Sequence, residues 1–239
     1  MAFSLAHDVH VGEHVVRIRC AGTGRPLLLL HDIGGSGASF AGVTSAIVAA
    51  GREAVAPDLP GFAQSDPIPG GVAGVVAHLH ELTDQTISEQ IDVVGRGFGA
   101  YLALSLAAER PQRYRRIVVE DPLSPPRGGG RASGRMSAGM ALNGALTTVR
   151  RGRILQNVGG FGRAKALLEE LSKPDQEWWD GLRQISAQCL LIDTGGGRSE
   201  DRTRAGFLSD ALAEMAVTSF AGRKSAEDDA ERAIIDFVC

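Results

Sequence analysis

The regular alternation of short apolar runs with helical patterns is the feature that most constrains the fold of this chain. Pro26–His31 (PLLLLH) is a continuous apolar run, as expected of a strand that is buried on both faces of a sheet. Strand and helix patterns then follow each other through short connections as far as Glu120. Such alternation predicts an α/β fold, with a mostly parallel sheet and helices on both of its faces.

The separate elements follow from the length and period of each run. Strands are predicted at Val9–Arg19 (a pair with a turn at Gly12-Glu13), Pro26–His31, Glu53–Ala56, Ile91–Val94, Arg116–Glu120, Cys189–Asp193 and Ala216–Phe220. Helices are predicted at Ser39–Ala50, Val72–Ile87, Phe98–Glu109, Met140–Val149, Arg163–Leu171, Asp175–Leu182 and Glu227–Val238. Because ligands of parallel sheets bind at the carboxyl ends of the strands, the loops after the strands are the place to look for a site.

The strand rhythm stops between residues 122 and 184, where Gly, Ser, Arg and Pro dominate. We therefore predict an α/β core formed by residues 1–121 and 185–239, with residues 122–184 inserted as a helical cap or lid. This insertion carries eight basic and no acidic residues between Pro122 and Leu168: Arg127, Arg131, Arg135, Arg150, Arg151, Arg153, Arg163 and Lys165. A positive cap would attract an anionic ligand or an acidic carrier protein. The alternative is a solvated face that the acidic residues around Glu227 balance.

Composition excludes several other classes of protein. Apolar residues make up 44% of the chain and the net charge is -3, so neither nucleic acid nor a membrane surface is indicated as a partner. The first eight residues lack a basic segment and a long apolar run, and the three cysteines form no CxxC pair. The histidines are not at metal-ligand spacing. We therefore predict a cytoplasmic protein that uses no metal and no cofactor.

A glycine-rich turn separates the strand at Ile91 from the next helix. The segment VVGRGFGA, residues 93–100, combines a strand, a tight G-x-G-x-G turn and an alanine-rich helix. A dinucleotide-binding loop would have G-x-G-x-x-G near the first strand and an acidic residue about 20 positions later. The alternative is a nucleophile elbow, G-x-S-x-G, between strand and helix. Gly95 and Gly99 then stand at its glycine positions, and Gly97 stands where serine belongs.

Five segments decide between a dinucleotide-binding loop and a nucleophile elbow. Taken in their order along the chain, they resemble the α/β-hydrolase family over nearly its whole length. They are the elbow with the following RRIVVEDP, LLLLHDIGGSGASF (residues 27–40), APDLPGFAQSD (56–66), AQCLLIDTGGGRSED (187–201) and SFAGRKSAEDDAERAIIDFV (219–238). The resemblance implies an α/β-hydrolase fold with an inserted helical cap. It also implies a site at the elbow, where members of the family carry a Ser-His-acid triad.

The chain departs from that triad at two of its three positions. Gly97 occupies the serine position and has no side chain to attack a carbonyl. Arg223 occupies the histidine position, and the chain has no histidine after His80. The acid position is taken by Asp121, or by Glu200 and Asp201 in a later loop. Since an intact triad needs a nucleophile and a base, ordinary serine hydrolysis is not expected. Loss of both residues favours a naturally divergent site over an engineered trap.

The resemblance implies that the oxyanion-binding amides remain. In the family these are the N–H after the nucleophile and one from the loop after the third strand, which correspond here to Phe98 and Ile33. The helix that begins at Phe98 directs its positive end to the same place. Loss of the side chain at Gly97 leaves room for a ligand there. We therefore expect Ile33, Gly97 and Phe98 to bind a substrate.

Five further side chains are candidates near that place, each with a structural alternative. Asp32 replaces the usual glycine of the family's His-Gly pair and is either an acid/base group or a turn or helix-cap aspartate. His31 is either catalytic or a structural hydrogen-bonding residue. Asp121 is an orienting carboxylate or a cap anchor, and Arg223 clamps an anion or forms a salt bridge. Trp178 lines the pocket or packs in the core.

Three functions remain open on this sequence. The first is a small-molecule enzyme without covalent catalysis, a lyase, isomerase, cyclase or atypical hydrolase of bacterial secondary metabolism, in which the amides hold a carbonyl or enolate oxygen. Asp32, His31 or Asp121 would then transfer the proton. The second is a pseudoenzyme that binds a ligand or a protein. The third is a serine hydrolase disabled by substitution.

Overall fold

The computed structural model describes residues 3–127, 159–194, 206–220 and 225–239. Its strands are β1 (Leu5–Val11), β2 (His14–Ala21), β3 (Pro26–Leu30), β4 (Glu53–Pro57), β5 (Ile91–Arg96), β6 (Tyr114–Glu120), β7 (Gln188–Asp193) and β8 (Met215–Ser219). Its helices are α1 (Ala41–Ala49), α2 (Gly71–Thr86), α3 (Phe98–Glu109), α4 (Gly159–Leu171), α5 (Gln176–Gly181), α6 (206–211) and α7 (Ala226–Val238). The predicted helix Met140–Val149 lies outside the described residues.

The eight strands of the described part form one sheet in the order β1-β2-β4-β3-β5-β6-β7-β8. The β1–β2 and β2–β4 pairs are antiparallel, and every pair from β4–β3 onwards is parallel. The fold class predicted from the alternation, an α/β-hydrolase fold with a mostly parallel sheet, is confirmed. The carboxyl ends of β3, β5 and β6 therefore meet at one edge of the sheet, which positions the candidate site.

The two faces of the sheet bury alternate residues of the same strands. On β3, Leu28 and Leu30 belong to one core cluster, whereas Leu27 and Leu29 belong to the other. Helices α2 and α3 supply the first cluster, and α1 and α7 supply the second. A strand between two helical layers has no solvent-facing side, so its sequence is apolar at every position. This is the physical origin of the run of leucines.

Most predicted elements are confirmed with shifts of a few residues at their ends. Helix α3 has the predicted bounds, whereas β5 continues through Gly95 to Arg96. The predicted helix Ser39–Ala50 begins instead with a 3-10 turn, Gly37–Phe40, before α1 starts at Ala41. Helix α6 was not predicted, and the residues directly before it lie outside the described part.

Helices α4 and α5 lie within the predicted cap. The Asp175 carboxylate caps α5 by accepting the backbone N–H of Trp178 at 2.8 Å. The cap boundaries at residues 122 and 184 stay a prediction, since residues 128–158 are outside the described part. Within the described ranges, none of the helices is long and apolar enough to cross a membrane.

Candidate functional site

The turn between β5 and α3 changes the chain from strand to helix within one residue. Gly97 has φ 54° and ψ −112°, a conformation that side-chain-bearing residues rarely adopt. Its N–H donates to the Glu120 carbonyl at 2.9 Å, which ties the turn to the end of β6. A Cβ at Gly95 would lie closer than 3.0 Å to the backbone of Gly99, and one at Gly99 would meet the Leu30 carbonyl as closely. The spacing of the three glycines thus follows from backbone packing.

The side chain of Asp32 lies on this turn. Its Oδ1 accepts two backbone N–H groups, from Ile33 and from Phe98, each at 2.8 Å. Phe98 is the first residue of α3, so the carboxylate also interacts with the positive end of that helix. A Cβ on Gly97 would lie closer than 3.0 Å to the Asp32 carboxyl carbon and to both of its oxygens. The carboxylate therefore fills the space that a side chain at position 97 would need.

This arrangement changes what the two amides do in the structure. They were predicted to bind a substrate oxygen, and in the structure both donate to Asp32 instead. A hydrogen bond to a charged group contributes about 1.5 to 3 kcal/mol, so a substrate oxygen has to replace a strong partner. These bonds link the loop after β3 to the start of α3, which agrees with the turn or helix-cap role that was the structural alternative for Asp32.

His31 is fully buried and is held at both ring nitrogens. The Leu59 N–H donates to Nε2 at 2.8 Å, so Nε2 is the unprotonated nitrogen. Nδ1 then carries the hydrogen and donates to the Asp32 carbonyl at 2.7 Å. These bonds fix the loop after β3 against the loop after β4. They favour the structural role of His31 over proton transfer.

Asp121 connects the ends of β6 and β7. Its N–H donates to the Ile192 carbonyl at 3.0 Å, and its carboxylate accepts the backbone N–H of Thr194 at 2.8 Å as well as the Thr194 hydroxyl. The residue has a φ of 46°, in the left-handed region that aspartate tolerates better than most residues. Thr194 lies outside the predicted cap, so the choice between an orienting carboxylate and a cap anchor stays a prediction for Asp121.

An ion pair that was not predicted from the sequence lies beside the turn. Nε of Arg96 is 2.6 Å from Oε2 of Glu120, and both residues are buried. Arg96 also donates to the Ser39 carbonyl at 3.2 Å and lies 3.9 Å from Glu231 on α7. Burial raises the pKa of the Glu231 carboxyl, and Glu120 adds to that rise while Arg96 opposes it. Arg96 and Glu120 are register partners on adjacent parallel strands, so their pairing follows from the register of the sheet and not from a local sequence pattern.

Trp178 packs against α3. Its indole N–H donates to the Ser105 hydroxyl at 2.8 Å, and its ring stacks on that of Tyr101 with centroids 5.0 Å apart. This favours the packing role over the pocket-lining role. Arg223 lies outside the described residues, as do Glu200 and Asp201, so the structure does not place them.

Three of the eight basic residues of the predicted cap are described, and all three have local partners. Arg127 lies over the rings of Trp179 and Phe207, at 4.8 and 5.0 Å from their centroids. Arg163 donates to the Ile68 carbonyl, and Lys165 is 3.7 Å from Glu169. A docking face for an acidic carrier protein therefore stays a prediction.

The remaining histidines are away from this turn, and two of them are buried on α2. Burial lowers the pKa of His78 below 6.5, and the positive charge of His14 lowers it further. Burial also lowers the pKa of His80, with Arg110 as the second cause. His7 and His10 are exposed on β1. Within the described ranges, no group of three or more His, Cys, Asp or Glu residues is arranged to hold a metal ion.

The lowered histidine pKa values predict a specific pH dependence of stability. His78 and His80 take up protons at a lower pH in the folded protein than in the unfolded chain, where histidines become protonated as the pH falls through 6.5. Because of these two histidines, we expect the free energy of unfolding to decrease as the pH falls below 6.5. Above that pH they should not change it. Urea denaturation at pH 7.5 and 5.5 checks this. The decrease should shrink in His78→Gln and His80→Gln but not in His7→Gln, and equal decreases in all four proteins would contradict it.

The family model for the α/β-hydrolase fold matches residues 25–144, half of the chain. The chain belongs to the α/β-hydrolase family. The 2-hydroxymuconate semialdehyde hydrolase of Pseudomonas putida is 38% identical to it over 119 residues, 48% of this chain and 42% of that protein. The 2-hydroxy-6-oxo-2,4-heptadienoate hydrolase of Pseudomonas putida is 33% identical over 103 residues, 41% of this chain and 37% of that protein.

The solved structure of a hydrolase from Pseudomonas aeruginosa superimposes with a TM-score of 0.77 at 17% identity and covers 98% of both chains. At that identity the likeness supports the α/β-hydrolase fold and nothing about the reaction. The sequence matches to the two Pseudomonas putida hydrolases cover less than half of those proteins. Membership of the family therefore identifies neither the substrate nor the reaction.

Proposed function

We propose that this α/β-hydrolase family member is a small-molecule enzyme that transfers a proton on a carbonyl compound without a serine nucleophile. The observation that carries the proposal is the position of Asp32, whose carboxylate fills the space beside Gly97. By the family resemblance, this is where the nucleophile would stand. A titratable group at that position is available for acid–base chemistry, whereas covalent attack by residue 97 is impossible.

Serine chemistry lacks a base as well as a nucleophile. By resemblance, Arg223 stands at the histidine position, and the chain has no histidine after His80. His31 comes earlier in the chain and has both ring nitrogens engaged with the backbone. An arginine side chain stays protonated at neutral pH, so it binds anions but does not accept a proton.

The geometry supports a mechanism in which the substrate oxygen exchanges places with Asp32. The carbonyl oxygen takes the N–H groups of Ile33 and Phe98, and the Asp32 carboxylate turns towards the carbon next to the carbonyl. The carboxylate loses two donors that favour its charged form, so it becomes a stronger base. It accepts the proton, and the electrons of the broken C–H bond pass to the carbonyl oxygen, where the two amides stabilise the enolate. Return of the proton at another atom gives isomerisation, and loss of a leaving group gives elimination.

The names of the two Pseudomonas putida relatives agree with this class of substrate. They refer to small unsaturated compounds with an aldehyde or a ketone group. Secondary metabolism and a cytoplasmic location remain part of the proposal, as predicted from the sequence.

A second candidate function is ligand binding without turnover, and one observation favours it. Both amides already have a charged partner in the protein, so nothing forces a substrate oxygen onto them. Binding without chemistry would be seen as stabilisation by a ligand that is recovered unchanged in mass.

Proton exchange in deuterated water tests the proposed enzyme. Wild-type protein is incubated with a panel of small ketones, aldehydes and 2-hydroxy-6-oxo-dienoates, and loss of the hydrogen next to the carbonyl is followed by NMR. We expect Asp32→Asn to slow exchange by about 10²- to 10⁴-fold, because the amide cannot accept the proton. The asparagine oxygen still accepts both N–H groups, so the fold should persist.

Asp66→Asn is the matched control, because Asp66 is an exposed carboxylate that also accepts a backbone N–H, from Val15 at 2.8 Å. It should exchange at the wild-type rate. Equal rates in Asp32→Asn and wild type would remove Asp32 as the base. If the wild-type protein exchanges no hydrogen on any of these compounds, ligand binding without turnover is the function that remains.

A further inference from the structure

An open cleft lies at the edge of the sheet opposite to Gly97, where β6 and β7 begin. It has a volume of about 450 Å³, within the range of about 300 to 1,000 Å³ that small-molecule sites have. Two arginines, Arg115 and Arg116, and three glutamines contribute to its lining. Strand β6 has seven residues that rise about 3.3 Å each, so the cleft is roughly 20 Å from the turn at Gly97.

An irregularity in β6 brings the two arginines together. Consecutive residues of a strand normally point to opposite faces of the sheet. Along β5, Ile91 pairs with Tyr114. The next residue, Asp92, pairs with Arg116, which leaves Arg115 as an extra residue without a partner on β5. Such a bulge redirects a side chain, and Arg115 accordingly reaches the carboxylate of Asp92 on the face where Arg116 lies.

The side chain of Arg115 is held in a fixed position by Asp92. Its Nε lies 3.0 Å from Oδ1 and its Nη2 lies 2.5 Å from Oδ2 of the completely buried carboxylate. The same carboxylate accepts a hydrogen bond from Arg52 at 2.7 Å. One negative charge thus serves two guanidinium groups, and a positive charge remains at the cleft. Because Asp92 engages Nε and Nη2, the nitrogen that Arg115 can offer to a ligand is Nη1.

Arg116 adds a second positive charge to the cleft. Its side chain is half-buried, and among the described residues no hydrogen bond or ion pair engages its guanidinium. Its register partner on β7 is Gln188, which is exposed and lines the same cleft. Glu214 brings a carboxylate to the lining but forms no ion pair with either arginine in the described part. The guanidinium of Arg116 is therefore available to an anion from solution.

We propose that this cleft binds a small sugar phosphate, with the phosphate group between Arg115 and Arg116. A phosphate monoester carries a charge of about −1.5 to −2 at pH 7 and has three strong acceptor oxygens. It can therefore accept charge-assisted hydrogen bonds from two guanidinium groups at once. The proposal does not rest on the proposed function, since the ligand lies at the other edge of the sheet.

The rest of the lining indicates the organic part of the ligand. An inorganic phosphate ion would fill only part of a cleft of about 450 Å³. The side-chain amides of the three lining glutamines, Gln90, Gln112 and Gln188, can donate and accept hydrogen bonds, as sugar hydroxyl groups require. The aromatic residue of the lining, Tyr114, is buried in the core and offers no exposed ring for a nucleotide base. These groups favour a sugar over a nucleoside.

Calorimetric titration with glucose 6-phosphate, glucose and inorganic phosphate, at constant ionic strength, tests the proposal. Glucose 6-phosphate should bind most tightly, because only this compound engages both the arginines and the glutamines. Arg116→Gln and Gln188→Glu each lower the net charge by one beside the phosphate. Each should weaken binding about tenfold or more, since a hydrogen bond to a charged group contributes roughly that factor. Arg232→Gln is the matched control, because it makes the same change of charge at an exposed position of α7.

Both cleft variants should fold, since Arg116 has no partner to lose and Gln188 is exposed. Urea denaturation checks this. Absence of glucose 6-phosphate binding by wild type would overturn the proposal, and so would equal affinities in wild type, Arg116→Gln and Gln188→Glu. Inorganic phosphate that binds as tightly as the ester would exclude a sugar phosphate as the ligand. Binding that is weakened in Asp32→Asn but not in Arg116→Gln would place the ligand at the Gly97 turn instead.

Discussion

Replacing Gly97 with serine is expected to give a less stable protein that fluorophosphonates do not label. The new Cβ would lie closer than 3.0 Å to the Asp32 carboxylate and would have to be held at a φ of 54°. Backbone strain and loss of the bonds to Asp32 should together lower the free energy of unfolding by about 2 to 4 kcal/mol. The hydroxyl would still lack a histidine to accept its proton. Urea denaturation and labelling with a fluorophosphonate probe measure the two effects.

Gly97→Ala is the matched control, because it introduces the same Cβ without the hydroxyl. It should lose the same stability as Gly97→Ser. In Gly97→Ser combined with Asp32→Gly, the collision is gone, so part of the lost stability should return while labelling stays absent. Labelling or esterase activity in Gly97→Ser alone would show that the chain is a serine hydrolase disabled by one substitution, and would contradict the proposed function.

Replacing Gly99 with alanine is expected to destabilise the protein by about 3 kcal/mol or more. Gly99 is the second residue of α3, and alanine at an unobstructed helical position is normally favourable. Here the Cβ would lie closer than 3.0 Å to the backbone carbonyls of Leu30 and His31. Neither carbonyl can retreat easily, because β3 lies in the middle of the sheet. Urea denaturation measures the loss.

Gly181→Ala is the control for helix propensity. Gly181 has helical dihedral angles, φ −60° and ψ −34°, and its Cβ would make an ordinary contact of 3.7 Å with Ala108. We expect this variant to gain about 0.5 to 1 kcal/mol. If both variants were stabilised, the close approach of α3 to β3 would not be a constraint.

The architecture was largely predictable from local patterns. A run such as PLLLLH is as expected of a strand between two helical layers, and its alternation with helices indicates a mostly parallel sheet. The turn at Gly97 was also predictable, because three glycines spaced two apart between a strand and a helix permit few other conformations.

The position of the candidate site was predictable from the sequence, whereas the roles of its residues were less predictable. Sequence order placed Asp32, Ile33, Gly97 and Phe98 at one edge of the sheet. The partners of His31 depend on the approach of the loop at Leu59, 28 residues away. The pairing of Arg96 with Glu120 depends on strand register, and no local pattern in either segment contains the other.

The chain itself thus determined the fold class and the glycine at position 97, since both depend on residue type and local period alone. Only the tertiary structure decided where the Asp32 carboxylate lies. Asp32 and Phe98 are 66 residues apart in the sequence, and they meet at 2.8 Å because β3 and β5 are neighbours in the sheet. Parallel pairing brings the ends of those two strands together, and the missing side chain at Gly97 leaves the space that the carboxylate fills.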